Sequence, residues 1–260
     1  MCIETNVLLH IPLNNTSFYV FVFGATLAQY NLHYLVKNRA VADSVRFAWS
    51  SEHRVTHIIL LIIGSLMVLI GILSFHITHF FALGCMSMIS LLYSLPFLPF
   101  KKRKRIKDFG LFKIITLALL WTLVTVWFPM VEMKYTIFSF QLIFIRRFIF
   151  IFILCLMFDV RDIEVDGSAD IKTLPVLIGI KRSFQLCYLL LILIIFISLL
   201  QFYFYRDMAE FLAMSISCLT TIGLVYWGKN AKSDYYYLAG IDGMMLLQAI
   251  LVISGEYYLS

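Results

Sequence analysis

Three aspartates stand close together in an otherwise apolar chain. Asp159, Asp162 and Asp166 follow a hydrophobic run that ends near Phe158. At about 100° per residue these three fall on one face of a helix, whereas Glu164 points elsewhere. Three carboxylates at the mouth of a membrane helix suit a hard divalent cation such as Mg²⁺, which takes oxygen ligands and often bridges to a substrate phosphate. A solvated acidic loop is the plainer interpretation, but the shared face and the buried start of the stripe favour a Mg²⁺ site.

The composition is that of an integral membrane protein. The 260 residues are 62% hydrophobic and 14% charged, with a mean hydropathy of +0.91, whereas a soluble protein carries about 25% charged residues. The net charge of +6 therefore informs membrane topology and is no evidence for nucleic-acid binding. The five cysteines show no Cys-x-x-Cys spacing, so they predict neither a disulfide framework nor a metal site.

The hydrophobic pattern predicts an all-α, polytopic bundle with eight membrane-spanning helices. A span needs about 20 mainly apolar residues, and a helix satisfies its own backbone in lipid. We expect residues 17–260 to form one transmembrane helical domain, preceded by an N-terminal segment, 1–16, that is too short to span. The predicted spans are 17–36, 55–75, 78–98, 111–131, 139–158, 184–204, 209–227 and 235–254.

Lysine and arginine are distributed unequally between the two sets of loops. The alternate loops 37–54, 99–113, 159–183 and 228–234 hold 17 of the 21 basic residues. Because basic residues gather in cytoplasmic loops, this side is predicted to face the cytoplasm. The acidic stretch then also faces the cytoplasm, and we expect the membrane to be a bacterial inner membrane.

A basic run, Lys101–Arg105, follows the third predicted span, which closes with Tyr93-Ser94-Leu95-Pro96. The plainer interpretation of this run is a topology anchor that contacts lipid headgroups. The alternative is a cation cluster that attracts a diphosphate to the aspartates. Lys113, further into the helix mouth, is the better candidate for a phosphate contact.

Arg146, Arg147 and Asp242 are charged residues inside predicted spans. Intramembrane charge is costly and points to function unless the side chain snorkels to the interface. Arg146 and Arg147 lie near the outer end of their span, so we expect both to snorkel. Asp242 lies about two turns into the last span, and its short side chain favours the bundle interior, where it could pair with a cation or a substrate group.

The acidic stretch resembles the second aspartate-rich motif of UbiA-type membrane prenyltransferases. The resemblance covers Asp159-Val-Arg-Asp162-Ile-Glu-Val-Asp166 and Lys172-Thr-Leu-Pro-Val-Leu-Ile-Gly179. The Tyr93-Ser-Leu-Pro-Phe segment with its basic loop is similar to the segment after the fourth helix of that family. Tyr30-Asn31 is similar to the start of its first motif, N-D-x-x-D-x-x-x-D. The resemblance implies a fold of nine helices around a central cavity open to lipid.

The resemblance also implies a reaction and its participants. Members of this family transfer an isoprenoid from its diphosphate to an aromatic or lipid acceptor, with Mg²⁺ held by both motifs. On this chain Asp162 and Asp166 would be the catalytic metal ligands, supported by Asp159. The expected partners are a prenyl diphosphate and a membrane-embedded acceptor in the lipid bilayer, which could be a quinone precursor, a tetrapyrrole or a lipid headgroup.

The chain departs from the family pattern in two places. Read from Asn31, the three aspartate positions of the first motif carry Leu32, Leu35 and Arg39, so half of the expected metal cage is missing. The span at 17–36 matches the second family helix, and we therefore interpret 1–16 as the remnant of a first helix and expect more of that helix to be encoded upstream. The candidates for binding the diphosphate or lining the substrate cavity are Asn31, Lys113, Arg161, Lys172 and Asp242.

Three functions remain open at this point. The first is a Mg²⁺-dependent isoprenoid transferase that works through Asp162, Asp166 and basic residues. The second is a catalytically silent member that binds lipid or a protein partner, which the missing aspartates favour. The third, a transporter or channel, would require polar groups at the midplane and broken helices in paired halves, and it ranks last.

Overall fold

The structure, a computed structural model, describes residues 1–36, 52–94, 110–133, 136–168, 171–229, 231 and 233–259. All regular elements in these residues are helical, which confirms the all-α class. Arg39 and the basic run Lys101–Arg105 lie outside the described residues.

Each of the eight predicted spans coincides with a helix. In chain order the helices are α1 (Cys2–Leu8), α2 (Thr16–Val36), α3 (Arg54–Ile72), α4 (Ile77–Ser94), α5 (Gly110–Thr122), α6 (Ile137–Arg161), α7 (Ile163–Ser168), α8 (Leu174–Ile178), α9 (Ile180–Tyr205), α10 (Met208–Gly228) and α11 (Gly243–Leu259). A π-helical turn and a 3-10 turn, Leu123–Trp127 and Phe128–Met130, extend α5. A second π-helical turn, Tyr236–Ile241, precedes α11.

Several helices are suited to a lipid environment. Among the described residues, five helical segments are long and apolar enough to cross a membrane by length and composition. The number of spans itself stays a prediction. The five segments are Arg54–Ile72, Gly110–Met130, Ile180–Tyr205, Met208–Gly228 and Tyr236–Tyr258.

The chain divides into two compact units, of which the smaller covers Asn14–Phe80. Helices α2 and α3 pack closely there because glycines face the partner helix. A Cβ at Gly24 would lie 2.6 Å from the Met67 Cβ, and one at Gly64 would lie 2.7 Å from the Gly24 carbonyl oxygen. Small residues at such contacts are typical of helix pairs in membranes, where close backbone approach stabilises the pair.

The larger unit comprises Met1–Leu13 and Phe81–Ser260. Its central element is α6, which packs against α5 and α9. Ile153, Leu156 and Met157 on this helix are fully buried in the main hydrophobic core. A helix that is apolar around most of its circumference belongs in an interior position. The core therefore fixes α6, and with it the aspartates at its C-terminal end.

The two arginines of α6 do not snorkel, and that expectation is wrong. Arg146 and Arg147 are each only 3% exposed. Arg146 Nη2 lies 2.5 Å from Glu210 Oε1 of α10, and Arg147 Nη2 lies 3.0 Å from Glu4 Oε1 of α1. Because each guanidinium finds a buried carboxylate, neither has to reach the interface to be compensated.

Candidate functional site

The second aspartate motif lies where α6 ends. Asp159 is in the last turn of α6, and Asp162, with φ −91° and ψ 9°, interrupts the helix before α7 begins. The chain then resumes a helical course, since the Asp166 N–H donates to the Asp162 carbonyl at 2.9 Å. Helix α7 extends to Ser168, and α8 begins at Leu174, next to Pro175. The break at Asp162 separates its carboxylate from the other two.

Asp159 and Asp166 share one cation. Lys113 of α5 places its Nζ 2.9 Å from Asp159 Oδ1 and 3.6 Å from Asp166 Oδ2. Asp159 and Asp166 are only 4% and 7% exposed, and the Lys113 side chain is partly buried. The lysine predicted to contact phosphate thus contacts the aspartates directly.

A glycine allows α5 to approach this loop. Gly110, the first residue of α5, lies so close to the backbone of the segment after α7 that a Cβ would overlap the Lys172 carbonyl and the Thr173 nitrogen. Lys113 follows one turn later on the same helix. Close approach at Gly110 therefore brings the Lys113 side chain within reach of Asp159 and Asp166.

Arg161 holds the third carboxylate. Its Nε and Nη2 donate to the two Asp162 carboxylate oxygens at 2.7 and 2.8 Å, which is the bidentate geometry typical of arginine. The guanidinium carbon lies 4.8 Å from the centroid of the Phe158 ring and 5.4 Å from that of the Tyr237 ring. These ring contacts orient the Arg161 guanidinium group toward Asp162.

Asp242 belongs to the same region of the larger unit. It is partly buried at the end of the second π-helical turn, and the positive charge of Arg161 acts on it. The Asp242 N–H donates to the Tyr237 carbonyl, five residues earlier, at 3.1 Å. Both Asp242 and the Tyr237 ring thus lie near one arginine. The structure brings together five predicted residues of the acidic end and Asp242: Lys113, Asp159, Arg161, Asp162, Asp166 and Asp242.

The protonation of Asp166 reflects opposing forces. Burial raises the pKa of its carboxyl above the ordinary value of 3.8, Lys113 opposes this rise, and the negative charge of Asp162 adds to it. Burial is the largest of these causes, so the pKa stays raised despite the lysine.

The carboxylate oxygens of the site are ligands that a hard cation prefers, but they are not arranged around a common centre. Asp159 Oδ2 and Asp166 Oδ2 are buried without a hydrogen-bond partner among the described residues, as expected of oxygens able to accept a cation. No group of three acidic, histidine or cysteine side chains in the described parts of the chain converges closely enough to hold a metal ion. Asp159 and Asp166 share Lys113, whereas the Asp162 carboxylate is bound by Arg161 and does not join them.

Two other predicted residues lie elsewhere. In the smaller unit, the Asn31 amide oxygen accepts from His57 Nδ1 at 2.8 Å, and its amide nitrogen donates to the Leu27 carbonyl at 2.7 Å. Both residues of the Asn31–His57 pair are buried. Lys172 is exposed, and its backbone rather than its side chain makes the contact with Gly110.

Sequence reasoning missed the residues that support the site. Gly110 gave a weak signal, as a glycine beginning a helix after a basic loop. Phe158 and Tyr237 were hidden among 24 phenylalanines and 14 tyrosines, where aromatic identity carries little information. Their role depends on the three-dimensional position of Arg161.

The sequence and the fold agree on one family. Residues 37–236 match the UbiA prenyltransferase family, and the chain belongs to it. No curated protein matches the sequence. A helical membrane protein of the prenyltransferase type is thus the class that sequence and fold define.

Solved structures share the fold at low sequence identity. A UbiA homolog from Archaeoglobus fulgidus bound to GPP and Mg²⁺ is 15% identical, with a TM-score of 0.65 over 97% of this chain and 92% of that one. A UbiA homolog from Archaeoglobus fulgidus bound to Cd²⁺ is 16% identical, with a TM-score of 0.62 over 94% of this chain and 87% of that one. A digeranylgeranylglyceryl phosphate synthase is 16% identical, with a TM-score of 0.60 over 99% of this chain and 91% of that one.

Proposed function

We propose that this protein binds a prenyl diphosphate beside Asp159, Asp162 and Asp166 and transfers the isoprenoid group to a membrane-embedded acceptor, a quinone precursor or a lipid. The observation that supports this most is the burial of Asp159 and Asp166 with Lys113 at the end of α6, within the second motif of the family. Charged groups held in such a place are costly, and they are kept where function needs them. Binding of GPP and Mg²⁺ by the A. fulgidus relative is consistent with the same substrate class.

The bond changes of the proposed reaction define what the site must do. The bond between the isoprenoid C1 and the diphosphate oxygen breaks, and the diphosphate leaves with the electron pair. The acceptor supplies the electron pair for the new bond to C1 and gives up its proton to the departing diphosphate or to water. Negative charge therefore grows on the departing diphosphate. Positive groups already oriented toward it lower the barrier most, because they need no rearrangement during the reaction.

The charges of the cluster require an additional cation. Among the described residues, the three carboxylates of the motif face two cations, Lys113 and Arg161, so these five side chains carry an excess of one negative charge when all are ionised, and Asp242 adds to it. A diphosphate would be repelled by this excess. We propose Mg²⁺ as the compensating ion, with Asp162 and Asp166 as its ligands and Asp159 in support. When bound, Mg²⁺ would neutralise charge on the leaving diphosphate.

The side chains of the site have separate tasks in this proposal. Arg161 releases Asp162 and turns its fork to phosphate oxygens, which it can bind in the same bidentate way. Phe158 and Tyr237 keep the guanidinium plane in position during that exchange. Lys172, exposed beside the cluster, is proposed as a further contact with the phosphate.

Binding of geranyl diphosphate to the detergent-solubilised protein tests the proposal. The wild type and a double variant, Asp162→Asn with Asp166→Asn, are titrated with and without Mg²⁺. We expect Mg²⁺-dependent binding in the wild type and its loss in the double variant, with Glu164→Gln, an exposed carboxylate of the same motif, behaving as wild type. Equal affinity with and without Mg²⁺, and equal affinity of the wild type and the double variant, would contradict the proposed site.

A catalytically silent, lipid- or partner-binding protein is the second candidate. Two observations favour it: leucines occupy the acidic positions at Leu32 and Leu35, and Lys113 is committed to the aspartates that remain. A radiolabelled prenyl diphosphate incubated with the protein in lipid extract separates the two candidates. Labelled lipid product supports a transferase, whereas metal-dependent binding without any product supports the silent protein.

We also propose that the aspartate cluster faces the cytoplasm of a bacterial inner membrane, because 17 of the 21 basic residues lie in the loops on that side. A single cysteine introduced at exposed Lys181, in a chain cleared of other cysteines, tests this with an impermeant maleimide. Protection in intact cells and labelling after lysis are expected. Labelling in intact cells would contradict the orientation.

A further inference from the structure

The Lys113 ammonium occupies the place from which a cation can be shared by Asp159 and Asp166. Its Nζ lies 2.9 Å from the first carboxylate and 3.6 Å from the second. Both carboxylates are buried, so water screens this attraction less than at a surface. Two of the three carboxylates of the motif are therefore already bridged by a cation that belongs to the chain.

The lysine is held in this place by the packing of α5. Three residues before Lys113, the backbone at Gly110 touches the loop that follows α7, and α5 packs along α6. The base of the lysine side chain is thereby fixed relative to both aspartates.

One oxygen of each carboxylate lacks a hydrogen bond although the lysine is close. Asp159 Oδ2 and Asp166 Oδ2 are buried and lack hydrogen-bond partners in the described chain. Asp166 Oδ2 is itself the oxygen that faces Lys113 Nζ, at 3.6 Å. A single ammonium has three donors and one charge, whereas a divalent ion would carry two charges and draw more oxygens around it. Without Lys113, the two carboxylates would attract a divalent ion strongly.

We infer that Lys113 is a built-in monovalent substitute for a divalent cation between Asp159 and Asp166, and that it prevents tight binding of the free metal ion when no diphosphate is present. This inference deepens the proposed function and rests on it for the identity of the site. It changes the role of Lys113 from a phosphate contact to a positioning residue that acts through the aspartates.

Titration with Mn²⁺, an oxygen-preferring stand-in for Mg²⁺ that is visible by electron paramagnetic resonance, tests this directly. The full chain in detergent is used, with no prenyl diphosphate added. We expect Lys113→Met to bind Mn²⁺ at least about tenfold more tightly than the wild type, a change of the size seen when groups around metal ligands are altered. Lys113→Arg, which keeps the charge, should bind as weakly as the wild type.

Matched variants exclude less specific effects. Lys181→Met removes an exposed lysine from α9 and should leave Mn²⁺ affinity unchanged. Adding Asp159→Asn and Asp166→Asn to Lys113→Met should abolish the gained affinity. Equal affinity of wild type and Lys113→Met, equal affinity of Lys113→Arg and Lys113→Met, or persistence of the gain without the aspartates would each overturn the inference.

Folding of the key variant can be followed in the same samples. Lys113→Met leaves two buried carboxylates without their cation, so its thermal midpoint in EDTA should fall and Mn²⁺ should restore it more than in the wild type. A variant that aggregates in EDTA but is recovered by Mn²⁺ supports the inference. A variant that aggregates regardless of Mn²⁺ overturns it.

The titration remains informative if the proposed function fails. It contains no prenyl diphosphate, so it reports only on how Lys113 and the metal compete. If the wild type does not bind geranyl diphosphate but Lys113→Met gains Mn²⁺ affinity, the proposed substrate is rejected and the inference about Lys113 stands. If the wild type binds geranyl diphosphate but Lys113→Met gains no Mn²⁺ affinity, the proposed substrate stands and the inference about Lys113 is rejected.

Discussion

Arg146 of α6 and Glu210 of α10 form an ion pair inside the larger unit, with Nη2 2.5 Å from Oε1. Gln201 Nε2 donates to the other glutamate oxygen at 2.7 Å, and Arg146 Nη1 donates to Ser198 Oγ at 3.2 Å. Arg146 lies 13 residues before Asp159, about 20 Å along the helix axis. This pair is thus a separate buried polar cluster that joins α6, α9 and α10.

Removing one member of this pair should cost more than removing both. Glu210→Leu or Arg146→Leu leaves a buried charge uncompensated, and each should lower the free energy of unfolding by about 3–5 kcal/mol. The double variant should lose clearly less than the sum. Unfolding of the three variants in the same detergent measures this, and additive losses would show that the two side chains act independently.

Alanine at position 110 should disturb the site through the backbone. The added Cβ would overlap the Lys172 carbonyl, so either α5 or the loop after α7 must move. We expect a lower thermal midpoint and weaker geranyl diphosphate binding. Gly223→Ala in α10, where a Cβ meets nothing within 4 Å, is the matched control and should be neutral or stabilising by up to about 1 kcal/mol. Equal behaviour of the two variants would contradict the close-approach argument.

Asp166 should make the protein less stable as pH rises from about 3.8. Burial raises the pKa of Asp166 in the folded protein above 3.8, its ordinary value and therefore its value in the unfolded chain. Between these two pKa values the folded state binds more protons than the unfolded state, so the contribution of Asp166 to stability falls with rising pH. The difference in unfolding free energy between wild type and Asp166→Asn, measured in EDTA, should decrease through this range. A difference that is constant, or that rises, would contradict the raised pKa.

Asp242→Asn should strengthen the binding of a prenyl diphosphate. The negative charge of Asp242 acts on Arg161, and removing it makes that guanidinium a better partner for phosphate. We expect a gain of about two- to fivefold in affinity for geranyl diphosphate, the size of a partly exposed charge pair, with little change in thermal midpoint. Glu164→Gln removes an exposed charge from the same motif and should change affinity less. Unchanged or weaker binding in Asp242→Asn would contradict this role.

Much of the fold could be predicted because hydrophobicity determines where helices cross lipid. Within the described residues the eight predicted spans coincide with helices, and Pro175 stands in the first turn of α8, where proline suits a helix start. These features are local, so one sequence is enough to locate them.

The pairings inside the site could not be predicted, because one follows from a local break in a helix and the others join distant parts of the chain. Helical periodicity placed Asp162 with Asp159 and Asp166, but the local break at Asp162 turns its carboxylate to Arg161. Lys113 was singled out from its position in the chain, and its aspartate partners, 46 and 53 residues later, only become visible in the fold. The same limit explains why Arg146 was expected to snorkel: Glu210 lies 64 residues away in sequence.

The π-helical turn Tyr236–Ile241 sets the phase of the last helix. Its closing bond spans five residues, from the Asp242 N–H to the Tyr237 carbonyl, where an α-helix would span four. If the same residues formed a continuous α-helix instead, everything after the turn would be rotated by about 100° relative to what comes before. Asp242 would then turn away from Arg161 although the sequence of the span is unchanged. A homologue whose last helix is α-helical throughout should therefore lack one residue in this segment if it presents the same face of α11 to the arginine.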